Sequence, residues 1–162
     1  MNVARTTVVA ALLLWLAACE YVERPGRPFP DTFVARTLDG KVVDRSTLKG
    51  KPWVLNIWLP GCGICAREFP ELEAVRRKYE DQGVGFLAIS VEQDPGRVEQ
   101  AAKKIALPLD VAYAQSEVLG PLGVRLLPST IFVDENGVIV AAVNGAKDAA
   151  YFERRVRELL KQ

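Results

Sequence analysis

Between Trp53 and Trp58 the chain carries the six-residue run Trp-Val-Leu-Asn-Ile-Trp, in which Asn56 is the single polar residue. A continuous apolar run of this length suits a strand covered on both faces, and such a strand needs a sheet with layers packed above and below it. Downstream, residues 63–81 turn helical in pattern, with Phe69, Leu72, Val75 and Tyr79 at spacings of three and four. Pro70 lies inside that segment and is expected to kink it. Residues 85–91 read as a second buried strand, 95–106 as a helix and 108–113 as a short strand. This alternation implies parallel pairing through right-handed crossovers. The rhythm then changes. Residues 130–133 and 138–143 flank Asp134-Glu135-Asn136-Gly137, which predicts an antiparallel hairpin, and a last helix is expected over 148–160. Upstream, residues 33–36 and 42–43 around Asp39-Gly40 read as a small hairpin, with residues 46–48 as one helical turn. The fold class is therefore α/β, a mixed central sheet flanked by helices with an N-terminal hairpin extension. No internal repeat or low-complexity segment interrupts it.

Before that domain lies a segment of different character. Arg5 is followed by a mostly apolar run to Leu16, too short for the roughly 20 residues that span a bilayer, then by Ala17, Ala18 and Cys19. Residues 1–18 read as a signal peptide. The ending Leu16-Ala17-Ala18-Cys19 resembles the lipobox of bacterial lipoproteins, which would make Cys19 the lipidated mature N-terminus and attach the protein to a membrane. A plain signal peptide or an uncleaved anchor are the alternatives. Glu20 at the next position favours the outer membrane. Residues 19–30, with Pro25, Gly26, Pro28 and Pro30, are expected to form an extended tether, leaving 31–162 as the folded domain.

The balance of 21 basic and 20 acidic residues, with no basic stripe, gives no electrostatic footprint for nucleic acid. Histidine is absent, which removes the commonest metal ligand and general base. Three cysteines occur, Cys19 near the start and the close pair Cys62 and Cys65, which is too few for a structural disulfide framework.

Cys62-Gly63-Ile64-Cys65 falls at the junction of the apolar strand and the helix that follows. Unsatisfied N–H groups and the macrodipole at a helix start favour a thiolate at Cys62, and a thiolate is the nucleophile of disulfide exchange. Cys62 is then the attacking thiol and Cys65 the resolving one. A static disulfide, or half of a zinc site, is the bland alternative. A four-ligand zinc site lacks its other ligands, so no metal and no cofactor beyond the disulfide are expected.

The segment Asn56-Ile57-Trp58-Leu59-Pro60-Gly61-Cys62-Gly63-Ile64-Cys65-Ala66-Arg67-Glu68-Phe69-Pro70 resembles the active-site motif of the TlpA/ResA-like branch of thioredoxin-fold proteins, N-F-W-A-x-W-C-x-P-C-x-x-E-x-P. Leu127-Pro128-Ser129-Thr130-Ile131-Phe132-Val133-Asp134 is similar to the second signature of that family, and the resemblance covers about residues 31–160. It implies a thioredoxin-like three-layer sandwich and thiol-disulfide oxidoreductase activity on the extracytoplasmic side of a membrane. It further implies a cis peptide bond before Pro128, beside the disulfide, with Leu127 presented to an extended client segment. Glu68 matches the family glutamate that handles protons at the resolving thiol. Trp58, Asn56, Gly63 and Ile64 would shape the site. Asn56 stands where thioredoxins themselves carry a buried aspartate. Two positions depart from the pattern: Gly61 replaces a tryptophan and Ile64 a proline, which leaves the redox poise open.

The leading functional expectation is a reductase of disulfides in exported proteins, such as apocytochrome c or copper-site assembly proteins, recharged by a membrane electron donor of the DsbD or CcdA kind. The protein is expected to be monomeric. An oxidant or isomerase, and a non-enzymatic metal-binding or interaction module with a frozen disulfide, are the alternatives. A peroxiredoxin-type peroxidase would want threonine where Leu59 stands, and a copper chaperone would want C-x-x-x-C and a histidine.

Overall fold

The structure, a computed structural model, describes residues 26–161. The signal peptide, Cys19 and most of the expected tether lie outside the described residues. Among the described residues eight strands form one sheet, in the order β1-β8-β7-β4-β5-β6-β2-β3. The strands are β1 (Arg27–Pro28), β2 (Val34–Thr37), β3 (Val42–Asp44), β4 (Trp53–Trp58), β5 (Gly85–Ser90), β6 (Asp110–Ala114), β7 (Ser129–Val133) and β8 (Val138–Asn144). β4 pairs parallel with β5, and β5 with β6, while the other neighbours are antiparallel. The mixed sheet expected from the change of rhythm is present.

β4 sits at the centre, and its side chains alternate between the two cores. Val54 and Trp58 face a cluster built with α1 (Gly63–Tyr79), α2 (Pro95–Lys104) and α4 (Ala149–Leu159), where Phe69, Leu72, Val98, Phe152 and Val156 pack. Leu55 and Ile57 face the opposite cluster with Phe29, Phe33, Leu48 and Leu122. Burial on both faces explains why the run carries almost no polar residue. Gly85, which opens β5, is fixed by a close approach: a Cβ there would lie 2.3 Å from the Trp53 ring. Helix α1 continues through Pro70 to Tyr79.

Residues 46–48 make the single turn expected of them: the Leu48 N–H donates to the Asp44 carbonyl (3.3 Å), and Asp44 Oδ1 accepts from the Ser46 N–H (2.8 Å) and the Thr47 N–H (3.0 Å), as the side chain of a helix N-cap does. One sequence expectation is corrected: the expected tether runs too far into the fold. Arg27–Pro28 is an edge strand on β8, and Phe29 is 1% exposed against Phe33, ring centroids 4.9 Å apart. Proline is tolerated at an edge because its missing N–H deprives no neighbouring strand, so the Pro-rich composition did not exclude pairing here. A 3-10 turn (Ser116–Val118) and the short helix α3 (Leu119–Leu122) precede the loop to β7; no periodicity announced them.

Candidate active site

Helix α1 begins at the top of the central strand, across a turn from Leu59 to Cys62. The Cys62 N–H donates to the Leu59 carbonyl (3.1 Å), with Pro60 second and Gly61 third at φ +82°. Those are the residues of a type II turn, whose third position requires a left-handed backbone. This accounts for glycine where the family motif has tryptophan: here the chain turns at that residue.

Cys62 caps α1 and is joined to Cys65 by a disulfide, S–S 2.01 Å with Cα atoms 5.3 Å apart. The two sulfurs differ in surroundings. Cys62 is partly exposed, whereas Cys65 is 1% exposed within the core. The Cys65 N–H points at Cys62 Sγ, 3.2 Å away. Once the disulfide opens, that N–H and the helix start are placed to stabilise a Cys62 thiolate. Gly63 and Ile64 form the first helical positions, and Ile64 is exposed, as is Leu59. Trp58 is buried beneath them, edge-on to Phe69 at 5.7 Å. The Leu127–Pro128 bond is cis. Pro128 is buried, Leu127 is half-buried against the core that holds Cys65, and Leu126 beside it is 52% exposed.

Below the disulfide lies a buried polar group. Glu68 is one turn on from Cys65 and 2% exposed, so it faces inward with that cysteine. Its Oε2 accepts from Asn56 Nδ2 (2.8 Å), and its Oε1 from the Lys147 backbone N–H (2.8 Å). Asn56 also donates to Thr130 Oγ1 (3.0 Å), its cross-strand partner on β7. Burial pushes the Glu68 carboxyl up to about 7; the Lys147 N–H, the Asn56 amide and the Lys147 charge oppose that rise. A carboxyl poised there can take or give a proton at neutral pH.

The structure thus gathers Cys62, Cys65, Glu68, Asn56 and Trp58 on β4 and α1, with Leu127 and Pro128 on the loop before β7. Sequence reasoning missed Thr130 as a partner of Asn56, although register opposite Asn56 would have found it. It missed Lys147 as well, whose backbone contact leaves no mark in composition. Asn144 was also missed. Its Oδ1 accepts from the Arg125 N–H (2.7 Å), the Leu126 N–H (3.4 Å) and the Ser129 hydroxyl (2.9 Å), and its Nδ2 donates to the Gly123 carbonyl (3.3 Å). One side chain therefore pins the loop that leads into Pro128. Among the described residues no group of three or more acidic, cysteine or histidine side chains is gathered as a metal site.

The Redoxin family profile matches residues 24–159. The thiol-disulfide oxidoreductase ResA of Geobacillus thermodenitrificans is 33% identical over 121 residues, 74% of this chain and 69% of that one. ResA of Geobacillus kaustophilus is 31% identical over 135 residues, covering 83% and 77%. Among solved structures, a thioredoxin-family thiol:disulfide interchange protein from Chlorobium tepidum superposes with a TM-score of 0.69 at 26% identity, over 85% of this chain and 97% of that one. A secreted Mycobacterium tuberculosis disulfide oxidoreductase, homologous to E. coli DsbE, superposes with a TM-score of 0.65 at 28% identity, over 78% and 96%. With a thioredoxin-like sheet and a Cys62–Cys65 disulfide at the head of its central helix, the chain belongs to the Redoxin family, as a ResA-like thiol-disulfide oxidoreductase.

Proposed function

We propose that the protein is an extracytoplasmic reductant of disulfides in exported proteins, held to a membrane by lipid on Cys19 and recharged by a membrane dithiol donor of the DsbD or CcdA kind. The observation that carries the reading is the asymmetry of the pair: one sulfur reaches the surface, and the other is buried on the face of α1 that holds Glu68. The Cys62 thiolate attacks a client disulfide, so a Cys62–client S–S bond forms as the client bond breaks and one client thiolate leaves. Cys65 then loses its proton to Glu68, directly or through water, and its thiolate attacks Cys62 Sγ. The Cys62–Cys65 bond forms, the second client thiolate leaves, and two electrons have passed to the client. Leu127, ahead of Pro128, offers backbone to an extended client segment, and the side chains of Leu59, Ile64 and Leu126 are exposed.

No described helix is long and apolar enough to cross a membrane, so attachment falls to the N-terminal segment in this reading. Apocytochrome c and copper-site assembly proteins are clients of the proposed kind.

A second reading, an oxidant, is favoured by the Cys65 N–H aimed at Cys62 Sγ, because a stabilised thiolate stabilises the reduced form. One titration of the full chain against thiol-disulfide buffers separates the two. A midpoint near or below about −230 mV supports the reductant, and one near about −120 mV the oxidant. Cys62→Ser should abolish insulin reduction, and Cys65→Ser should accumulate mixed disulfides. Equal activity of the two variants refutes the assigned roles.

A further inference from the structure

On the α2 side of the disulfide, away from the buried Glu68, lies a groove of about 180 Å³ into which Cys62 itself opens. Gly61, Gly63 and Ala66 line its α1 side, and Ala101, Lys104 and Ile105, at the end of α2, line the other. A Cβ on Gly61 would meet nothing within 4 Å, and one on Gly63 only the Arg67 guanidinium, at 3.8 Å. At this volume the groove falls well below the roughly 300–1,000 Å³ of pockets for cofactors or drug-sized ligands, and it matches a single side chain.

We infer that this groove is a specificity pocket for the client, accepting one aliphatic or aromatic side chain from the residue next to the client cysteine. The inference rests on the oxidoreductase reading above and adds what the client must look like. A disulfide to Cys62 brings the client's cysteine Cα to within about 4.4–6.8 Å of Cys62 Cα, and the next client Cα is about 3.8 Å further on. A neighbouring side chain is then within reach of Ala101 and Ile105. The occupant is set by the walls. Alanine methyls, glycine backbone and the Ile105 side chain favour an apolar group, and Lys104, the one charged residue among the described residues that line the groove, disfavours a basic one.

The test uses the full chain carrying Cys65→Ser, reduced, and short peptides paired through one disulfide, with leucine, glycine or lysine on either side of the cysteine. Peptide attached to Cys62 is followed in time by mass spectrometry. Leucine on one side should speed attachment about tenfold over glycine, since partial burial of such a side chain is worth about 1.4 kcal/mol. Lysine there should be slower than glycine. Ala101→Leu, which fills the groove, and Ile105→Ser, which removes its exposed apolar wall, should bring the leucine advantage close to one, with the glycine peptide unchanged within about twofold. The second variant alters a partly exposed side chain, so it still decides the matter should the first fail to fold. Equal rates for all three peptides, or a leucine advantage undiminished in the variants, would overturn the pocket while leaving the exchange chemistry intact. No attachment of any peptide would overturn both.

Discussion

The buried carboxyl of Glu68 makes a prediction that can be worked from its surroundings. Its folded pKa of about 7 lies above the 4.5 of an unperturbed glutamate, so between those values the folded protein binds a proton that the unfolded chain has released. Stability therefore falls as pH rises through this window: it is full below 4.5, and the loss is complete above about 7. At about 1.36 kcal/mol for each pH unit, the cost reaches roughly 3 kcal/mol at pH 8. Only 2% of Glu68 is exposed, so little solvent screening reduces it. Glu68→Gln removes the titration and keeps an oxygen for the Lys147 N–H. Its new amide can donate to Asn56 Oδ1, which is buried with no hydrogen-bond partner among the described residues, once the Asn56 amide rotates. Urea unfolding of the oxidised protein and the variant, at pH 4.5 and pH 8, isolates the effect because every other group cancels in the difference. Relative to the parent, the variant should be about 2–3 kcal/mol more favourable at pH 8 than at pH 4.5. A difference independent of pH would refute the raised pKa and, with it, the role of Glu68 as proton acceptor.

Two further outcomes follow from contacts in the fold. A chain beginning at Asp31 loses Phe29 and the edge strand, with the Gly26 N–H to Ile139 carbonyl and Phe29 N–H to Gly137 carbonyl bonds of 2.9 Å each, so it should be less stable than one beginning at Gly26. Loss of a buried phenylalanine sets the drop at about 3–5 kcal/mol in urea unfolding, and equal stability would return residues 26–30 to the tether. Asn144→Ala leaves the Arg125 and Leu126 N–H groups, in the backbone before Pro128, without their shared acceptor, while the Ser129 hydroxyl keeps the Leu126 carbonyl (2.6 Å). It should raise KM for a protein disulfide several-fold while reduction of Cys62–Cys65 by dithiothreitol, which needs no docking strip, stays unchanged; equal effects on both would make the contact purely structural.

What was legible in the sequence follows from how each feature is encoded. The central strand, the long helix and the closing hairpin announce themselves through burial period and turn chemistry, and the redox pair through its place at a strand-to-helix junction. Features fixed by contact across the chain were not legible in that way. The pairing of Arg27–Pro28 depends on a free edge of β8, which no local pattern reveals, so composition argued for a tether.

Glu68 shows the same division more sharply. Its position one turn after Cys65 was readable, and it gave a helical glutamate facing the disulfide. Whether that glutamate is a solvated charge or a buried proton carrier depends on Asn56 from the strand beneath and on Lys147 from a loop 79 residues away. Asn56 matters here by what it cannot do. An aspartate in its place would put a second carboxylate within hydrogen-bond distance of the first, and two such charges cannot both ionise in a buried site. With a neutral amide there, proton exchange beneath the disulfide falls to a single group. The polar residue that interrupts the apolar run is therefore a condition for Glu68 to titrate alone near neutral pH.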